Sequence, residues 1–442
     1  MRKCVRFIAL AMMMLVSTAF VFAGGANEMA TTTESNEPIE LVYWSHYGQS
    51  PSFVQAFADS VNLAAKNLGY TNVTCRAEVI EYSGYEAKYI TGFSSNNGPD
   101  FFLGRPSDWA LDGGRNPIAI AFNDATAKAW DDSLASAFVN DGNYNGKRYG
   151  FPCEGGSLQM LYINTDAMKE AGLDPVKDLP KTLSEMKELA TKLTKRDASG
   201  NIVRSGFQPR YLGGGDGVSG KFIPYFHNFG ARTIAQDFST AEGYINGERA
   251  VEALTWFKDL VTQTSKLDFG APESAFQSGQ AAIINREGWF AQDTIDKAPN
   301  IKFVCIPFPA GPHGDDFAST AGAGIWCNMI SAKTKHADLC QKIMAELSKP
   351  MYDITLHEPA AYPPVCKETM KMENEYFGKQ AYASAVLELV TKPGSPDYSP
   401  LAAWGPCASL FGDSLAKIIG TNVDIRTELD ALAARMNQIL NQ

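Results

Sequence analysis

Five of the seven tryptophans stand at the ends of predicted strands or beside loops rich in glycine and proline. An indole ring offers a broad, rigid apolar face on which a sugar can stack its C–H groups, while nearby polar side chains bind the hydroxyl groups. We predict that four of these residues line a ligand site, with core packing as the alternative for each: Trp44, Trp289, Trp326 and Trp404. Trp109 has the same kind of position but is not among the predicted ligand-binding residues. Trp130 and Trp256 lie within helical patterns and are predicted to be packing residues.

Polar side chains suited to hydroxyl groups occupy the same loops. They are His46 after the first predicted strand, Arg105 and Asp108 after the third, Glu154 within GFPCEGG, and Tyr211 before the glycine-rich loop GGGDG at 213–217. Glycines in such a loop let the backbone approach a ligand closely. The alternatives are that His46 is merely exposed, that Arg105 and Asp108 form an ion pair within their loop, and that Glu154 is a solvated carboxylate.

No sequence motif supports catalysis. The zinc-protease pattern H-E-x-x-H is absent, since HEP at 357–359 lacks the second histidine, and G-x-S-x-G is absent too. Glycoside hydrolysis needs two facing carboxylates about 5–10 Å apart, and no motif identifies such a pair. The loop at 213–217 lacks the G-K-[ST] ending of a phosphate-binding P-loop. We expect a binding protein with no catalytic residue, cofactor or metal, and keep a secreted carbohydrate-active enzyme as an alternative.

Alternating strands and helices must position these side chains. The predicted strands of the first part are IELVYW (39–44), VTCRAEVI (73–80) and DFFLG (100–104). Ser50 and Pro51 are the expected N-cap and first residue of the helix after the first strand. A second helix precedes the third strand, and this β-α-β-α-β order is typical of a mainly parallel sheet that binds ligands beyond the carboxyl ends of its strands.

The same pattern restarts after residue 150. Thr182 and Glu185 form a capping box at the start of one helix. The predicted strands of this part are LQMLYIN (158–164), AAIIN (281–285), IKFVCIPF (301–308) and GIWCNMI (324–330). Helices at 404–419 and 424–441 close the chain, so a second α/β unit with a helical end is predicted.

The N-terminus predicts export. Three basic residues precede an apolar run at 7–22, and Ala23 offers a small-residue cleavage point, which is typical of a signal peptide over 1–23. No cysteine stands directly after the run, so no lipid anchor is expected; an uncleaved N-terminal anchor is the alternative. Residues 24–38 are small and polar and predict a flexible leader.

The charge of the chain restricts its partners. Removal of 1–23 takes three of the 39 basic residues and none of the 49 acidic ones, so the net charge changes from −10 to −13. This acidic balance argues against nucleic acid and anionic membrane surfaces as partners. No later stretch is apolar over the length of a membrane span.

Seven cysteines follow residue 23, and their odd number leaves at least one unpaired. The chain has no C-x-x-C, and the spacings suit no zinc site. Several lie in apolar runs such as FVCIPF and IWCNMI. We predict buried free thiols, with disulfides as the alternative in an exported protein.

A family resemblance connects these segments. YNGKRYGFP (144–152) resembles the crossing between the lobes of family 1 extracellular solute-binding proteins, the maltose-binding-protein-like components of ABC importers. Other segments are similar to that family in the same order: LYINTDAMKEAGLDP (161–175), PKTLSEMKELATKLT (180–194), AFQSGQAAIINREGWF (275–290), IPFPAGP (306–312) and YPPVCKE (362–368). Val365 and Cys366 depart from the family's commoner residues. The likeness spans roughly residues 39–440.

The resemblance implies a two-lobed periplasmic-binding-protein fold of type II, with three hinge crossings near 150–153, 310–316 and 348–356. Lobe 1 then comprises 39–151 plus 313–350, and lobe 2 comprises 152–312 plus 351–442. It also implies an exported, periplasmic monomer that captures a sugar or oligosaccharide between closing lobes and docks on ABC permease subunits. Trp289 and Trp404 match positions where the family often carries ligand-stacking aromatic residues.

A non-sugar solute is the alternative within the same fold. A glycerol phosphate ester would require several basic residues in the cleft, for which Arg105, Arg210 and Lys221 are available. A polyamine would require clustered acids with aromatic residues. A metal complex is the third possibility.

Overall fold

A computed structural model describes residues 37–441 except 49, 96, 110–117, 145, 154–157, 213–214, 314–325, 372–378 and 390–403. The predicted signal peptide and nearly all of the predicted leader lie outside these residues. The strands are β1 Ile39–Ser45, β2 Val73–Val79, β3 Phe101–Gly104, β4 Ala119–Ile120, β5 Asn143–Tyr144, β6 Lys147–Arg148, β7 Gly150–Pro152, β8 Gln159–Asn164, β9 Lys195–Arg196, β10 Ile202–Phe207, β11 Ala281–Glu287, β12 Phe303–Ile306 and β13 Cys327–Ser331.

The helices follow the capping and periodicity signals of the sequence. They are α1 Pro51–Asn67, α2 Tyr85–Ser94, α3 Pro106–Trp109, α4 Asp124–Ser133, α5 Thr165–Glu170, α6 Leu183–Leu193, α7 Gly215–Asn228, α8 Glu248–Thr264, α9 Pro272–Gln277, α10 Trp289–Lys297, α11 Ala337–Glu346, α12 Pro350–His357, α13 Lys367–Lys371, α14 Ala383–Leu389, α15 Trp404–Gly420 and α16 Ile425–Leu440. Both hydrogen bonds of the predicted capping box between Thr182 and Glu185 are present at the start of α6. Pro51 begins α1 as predicted, although Ser50 makes no side-chain capping bond.

The sheet of the first lobe has the strand order β2-β1-β3-β13-β4, and β7 pairs with β13. β1 pairs in parallel with β2 and β3, since α1 and α2 return the chain between them. β13 runs antiparallel to β3, β4 and β7. The carboxyl ends of β1, β2 and β3 and the start of β13 therefore lie at one edge.

The sheet of the second lobe has the order β12-β8-β11-β10-β9. β10 and β11 are parallel, whereas β8 is antiparallel to both β11 and β12. In each sheet one antiparallel strand is the first strand after the chain arrives from the other lobe. β8 follows β7 in this way, and β13 follows β12. The predicted two-lobed α/β fold is confirmed. β13 gives the first sheet its mixed direction, and β8 together with β9, which is antiparallel to β10, gives the second sheet its mixed direction.

The second-lobe sheet is buried on both faces. Successive residues of β8 alternate between two apolar clusters, with Met160 and Tyr162 in one and Leu161 and Ile163 in the other. Because side chains of a strand alternate between the faces of its sheet, this strand reads as a continuous apolar run rather than as a polar and apolar alternation.

The third passage between the lobes comes later than predicted. α12 packs on α1, where Asn67 Nδ2 donates to Tyr352 Oη at 2.7 Å. The backbone N–H of Ala135 donates to Val365 O at 3.0 Å, which holds the next segment on the first lobe. α14 lies against β12, and α15 and α16 pack on the second-lobe helices α7 and α8. The chain therefore crosses after Lys371, in contrast to the prediction of a crossing near 348–356 and of a second lobe that starts at 351.

The seven cysteines after residue 23 are buried thiols outside disulfides, in agreement with the prediction: Cys75, Cys153, Cys305, Cys327, Cys340, Cys366 and Cys407. Burial raises the pKa of the Cys340 thiol to about 12, so this group stays protonated. Among the described residues no helix is long and apolar enough to cross a bilayer.

Candidate functional site

Aromatic side chains meet at the carboxyl edge of the first sheet. The His46 ring stacks on Tyr85 with ring centroids 4.4 Å apart, and the Trp326 ring meets it edge-on at 4.1 Å. Tyr82 lies 5.5 Å from His46, and the Arg105 guanidinium lies 4.3 Å from the Trp326 ring. We refer to these five residues as the first-lobe aromatic cluster. Three of its members are predicted site residues: His46, Arg105 and Trp326. They meet because Trp326, which directly precedes β13, lies beside the loops that follow β1 and β3.

His46 is the polar centre of this cluster. It is 1% exposed, and neither ring nitrogen has a hydrogen-bond partner in the described part of the chain. Burial, and then the nearby charge of Arg105, lower the pKa of His46 to about 3, so the imidazole is neutral at physiological pH. A neutral imidazole offers one donor and one acceptor, the two functions that a hydroxyl group can satisfy.

Trp44 packs in the core of the first lobe instead of facing a cleft. Its ring contacts Tyr89 and Phe93 at centroid distances of 5.8 and 6.5 Å, and the residue is 7% exposed. A Cβ at Gly92 would lie 2.5 Å from the indole, so this neighbour must be glycine for the ring to fit. Core packing, the alternative to the predicted ligand contact, therefore accounts for Trp44.

Charged side chains form a network at the carboxyl edge of the second sheet. Lys221 of α7 is paired with Glu287 at the end of β11. Arg286 Nη2 lies 3.1 Å from Glu273 Oε1 and 3.3 Å from Glu287 Oε2. Asn285 Nδ2 donates to the Lys221 carbonyl at 2.9 Å and fixes the helix to the strand. We refer to Lys221, Glu273, Arg286 and Glu287 as the second-lobe charge network.

The charges of this network balance. Burial alone would raise the pKa of Glu287, but Arg286 and Lys221 lower it to about 2. Burial lowers the pKa of Lys221 to about 8, although Glu287 opposes this shift. Near neutral pH two cations therefore face two carboxylates.

Trp289 lies at the boundary of the two lobes. It is half-buried at the start of α10, and the Arg286 guanidinium lies 5.0 Å from its ring centroid. A cleft of about 460 Å³ is lined by Trp289 and three polar residues of α10, and opposite them by two segments of the first lobe. Its lining residues are Ser50, Pro51, Ser52, Trp289, Gln292, Asp293, Asp296, Glu358, Pro359, Ala360, Ala361 and Tyr362. The structure thus places Trp289 on an inter-lobe cleft, apart from the first-lobe aromatic cluster.

The remaining predicted residues lie elsewhere or outside the described side chains. Tyr211 is half-buried, and its hydroxyl donates to the Leu267 carbonyl at 2.9 Å within the second lobe. Glu154 and the side chains of Asp108 and Trp404 are outside the described part. The helices that carry the last two, α3 and α15, contact each other across the lobes.

Several site residues escaped the sequence analysis. It identifies neither Tyr82 nor Tyr85 as a site residue, and it does not consider Glu273, Arg286 and Glu287. The signal for the last two was present, because NRE at 285–287 continues an apolar strand where buried charges need partners. Within the described ranges no cluster of side chains could hold a metal ion.

The chain passes three times between two α/β lobes, and residues of both lobes line a cleft. These features define a solute-binding architecture. The family described as bacterial extracellular solute-binding protein matches residues 54–376. The chain belongs to this family, and the resemblance found in the sequence is confirmed. Its members are binding proteins.

Individual relatives agree with this assignment. The sn-glycerol-3-phosphate-binding periplasmic protein UgpB of Brucella abortus is 23% identical over 303 residues, which cover 66% of this chain and 67% of UgpB. The structure of the cyclic alpha-maltosyl-1,6-maltose binding protein from Arthrobacter globiformis matches with a TM-score of 0.71 at 19% identity, over 91% of this chain and 99% of that one. UgpB from Mycobacterium tuberculosis in complex with glycerophosphocholine matches with a TM-score of 0.72 at 19% identity, over 91% and 98%. At 19% identity these structural matches show the fold alone.

Proposed function

We propose that the protein is the exported, periplasmic component of an ABC importer, which captures a sugar between its lobes and delivers it to membrane permease subunits without chemical change. The inter-lobe cleft carries this proposal. Trp289 and Tyr362 offer aromatic faces, and Gln292, Asp293 and Asp296 offer acceptors for hydroxyl groups.

A glycerol phosphate ester is the second candidate, because the UgpB relatives are named for such solutes. The charges of the site favour it less. Neither lysine nor arginine is among the described residues that line the cleft, and the cations Lys221 and Arg286 are paired with carboxylates. Arg105 and Arg210 are the further basic residues that such a solute could contact.

A ligand panel tests the proposal. Isothermal titration calorimetry with maltotriose, D-tagatose, ribitol, sn-glycerol 3-phosphate, glycerophosphocholine and spermidine should give saturable binding of a neutral member at micromolar or lower Kd. The folded state should be stabilised by about 2.7 kcal/mol at a ligand concentration 100 times Kd. Chromatography after incubation should recover the solute unchanged. Binding of the phosphate esters alone, or hydrolysis of the sugar, contradicts the proposal.

Lobe closure should accompany binding. A solute in the cleft contacts both lobes only when they approach each other, so its affinity is higher for the closed form and it shifts the population towards closure. Small-angle X-ray scattering should show a smaller radius of gyration at saturating concentration of the sugar that binds. An unchanged scattering profile would mean that the cleft is already closed without solute.

A further inference from the structure

The second-lobe charge network contains hydrogen-bonding groups that the protein does not satisfy. Arg286 is 4% exposed, yet its Nε and Nη1 atoms have no hydrogen-bond partner among the residues that the structure describes. Within the described ranges Glu287 Oε2 accepts no hydrogen bond either, although it lies in ion-pair contact with Arg286. Buried polar groups are nearly always hydrogen-bonded, because an unsatisfied one keeps the cost of leaving water.

These groups have the character of a hydroxyl-binding pair. The free N–H groups of Arg286 donate and Glu287 Oε2 accepts, and one hydroxyl group can satisfy one of each. Their neighbour on the cleft side is Trp289, whose ring centroid lies 5.0 Å from the guanidinium. Arg286 and Glu287 do not themselves line the cleft, so a solute would reach them past the edge of the Trp289 ring.

The charges within the network bear on the class of solute. Arg286 is compensated by Glu273 and Lys221 by Glu287, and Arg210, whose charge helps to lower the pKa of Lys221, is a nearby cation outside the network. A phosphate would also meet the carboxylate of Glu287 at short range, which is repulsive in a buried site. An uncharged hydroxyl group meets no such repulsion.

We propose that Arg286 and Glu287 form a hydroxyl-binding subsite beside Trp289, and that the solute is therefore an uncharged polyhydroxylated compound. This inference rests on the proposed function, since it assumes that the solute binds at Trp289.

The test removes an ion pair without leaving an unpaired charge. The double variant Arg286→Met with Glu273→Gln eliminates the donors of Arg286 and keeps Lys221 paired with Glu287. Hydrogen bonds to a charged donor account for about 10- to 100-fold in affinity. Calorimetry with maltotriose, D-tagatose and ribitol should show a loss of this size for the neutral compound that the unaltered protein binds.

A matched control lies at the other end of the same sheet. Arg204 Nη1 pairs with Glu170 Oε2 at 2.6 Å near the start of β10, away from the residues that line the cleft. Arg204→Met with Glu170→Gln should leave the affinity unchanged, and urea unfolding of both variants should show that each is folded during the titration.

The outcomes separate this inference from the proposed function. If the folded Arg286 variant binds the neutral compound with unchanged affinity, the unsatisfied groups hold only water, and the sugar proposal stands without this subsite. If no neutral compound binds the unaltered protein, or if only the phosphate esters bind, both are overturned.

Discussion

Replacement of Trp289 by alanine should weaken sugar binding about 30- to 1000-fold while the unliganded protein remains folded. Truncation of an aromatic residue at the centre of a binding site typically costs about 2–4 kcal/mol of binding free energy, which corresponds to this range. Trp289 is half-buried, borders the inter-lobe cleft and has the Arg286 guanidinium beside its ring. Calorimetric titration of the variant measures the loss.

Two other tryptophans serve as controls for this variant. Trp256 is also half-buried but packs on Tyr225 and Phe229 in the second lobe, so Trp256→Ala should leave the affinity unchanged. Trp130 stacks on Phe151 at 3.9 Å and is 1% exposed, so Trp130→Ala should cost about 3–5 kcal/mol of unfolding free energy.

The two roles of Trp289 are distinguished by comparing stability with affinity. A ligand-stacking residue loses affinity with a much smaller loss of stability than Trp130→Ala. If Trp289→Ala unfolds as readily as Trp130→Ala, and its folded fraction binds sugar normally, then Trp289 is a core residue and the site in the second lobe is wrong.

Removal of the Asp353 carboxylate should cost about 3–5 kcal/mol of unfolding free energy, because it leaves a buried charge without its partner. Asp353 and His357 are at most 1% exposed, and Asp353 Oδ1 lies 2.9 Å from His357 Nδ1. His357 Nε2 donates to the Cys153 carbonyl at 2.8 Å. Since both ring nitrogens face oxygen acceptors, both carry protons and the ring is a cation. The carboxylate also accepts from the N–H groups of Val365 and Cys366 at 3.1 and 3.0 Å.

The cost of Asp353→Ala should depend on pH. Burial opposes the charge on both residues, but the charge of Asp353 raises the pKa of His357 and the charge of His357 lowers the pKa of Asp353. A raised histidine pKa stabilises the fold fully below the unfolded value of about 6.5, and this contribution is lost as pH rises through the folded pKa. The lowered pKa of Asp353 contributes stability above about pH 4, which is lost as pH falls further. The difference from the unaltered protein should therefore be largest near pH 5.5 and should narrow above the folded pKa of His357.

Urea unfolding at a series of pH values measures this difference. Asp132→Ala is the control, because Asp132 forms an exposed ion pair with Lys128 at 2.8 Å, and such pairs contribute at most about 1 kcal/mol. A cost of Asp353→Ala as small as that of Asp132→Ala, or one that grows as pH rises above 6.5, would show that His357 is not held as a cation.

Local signals in the sequence determined most of the secondary structure. The period-two pattern of 73–80 and the apolar run of 158–164 became β2 and β8. The capping box at Thr182 and the proline at position 51 placed the starts of α6 and α1 correctly. These features depend on residues within one or two turns of the chain, so their physical causes are visible in the order of residues. The order of the segments also carried the family resemblance and with it the two-lobed fold.

The tertiary structure decided which side chains meet. His46 and Trp326 are separated by most of the chain, and they touch because β13 enters the first sheet after the chain returns from the second lobe. Trp44 and Trp289 both stand at the ends of strands, but a helix covers one and a cleft borders the other. The third passage depends on the contacts of α12 with α1 rather than on any local signal. Partner choice, burial and charge balance are properties of the packed chain, because each depends on residues that the sequence keeps far apart.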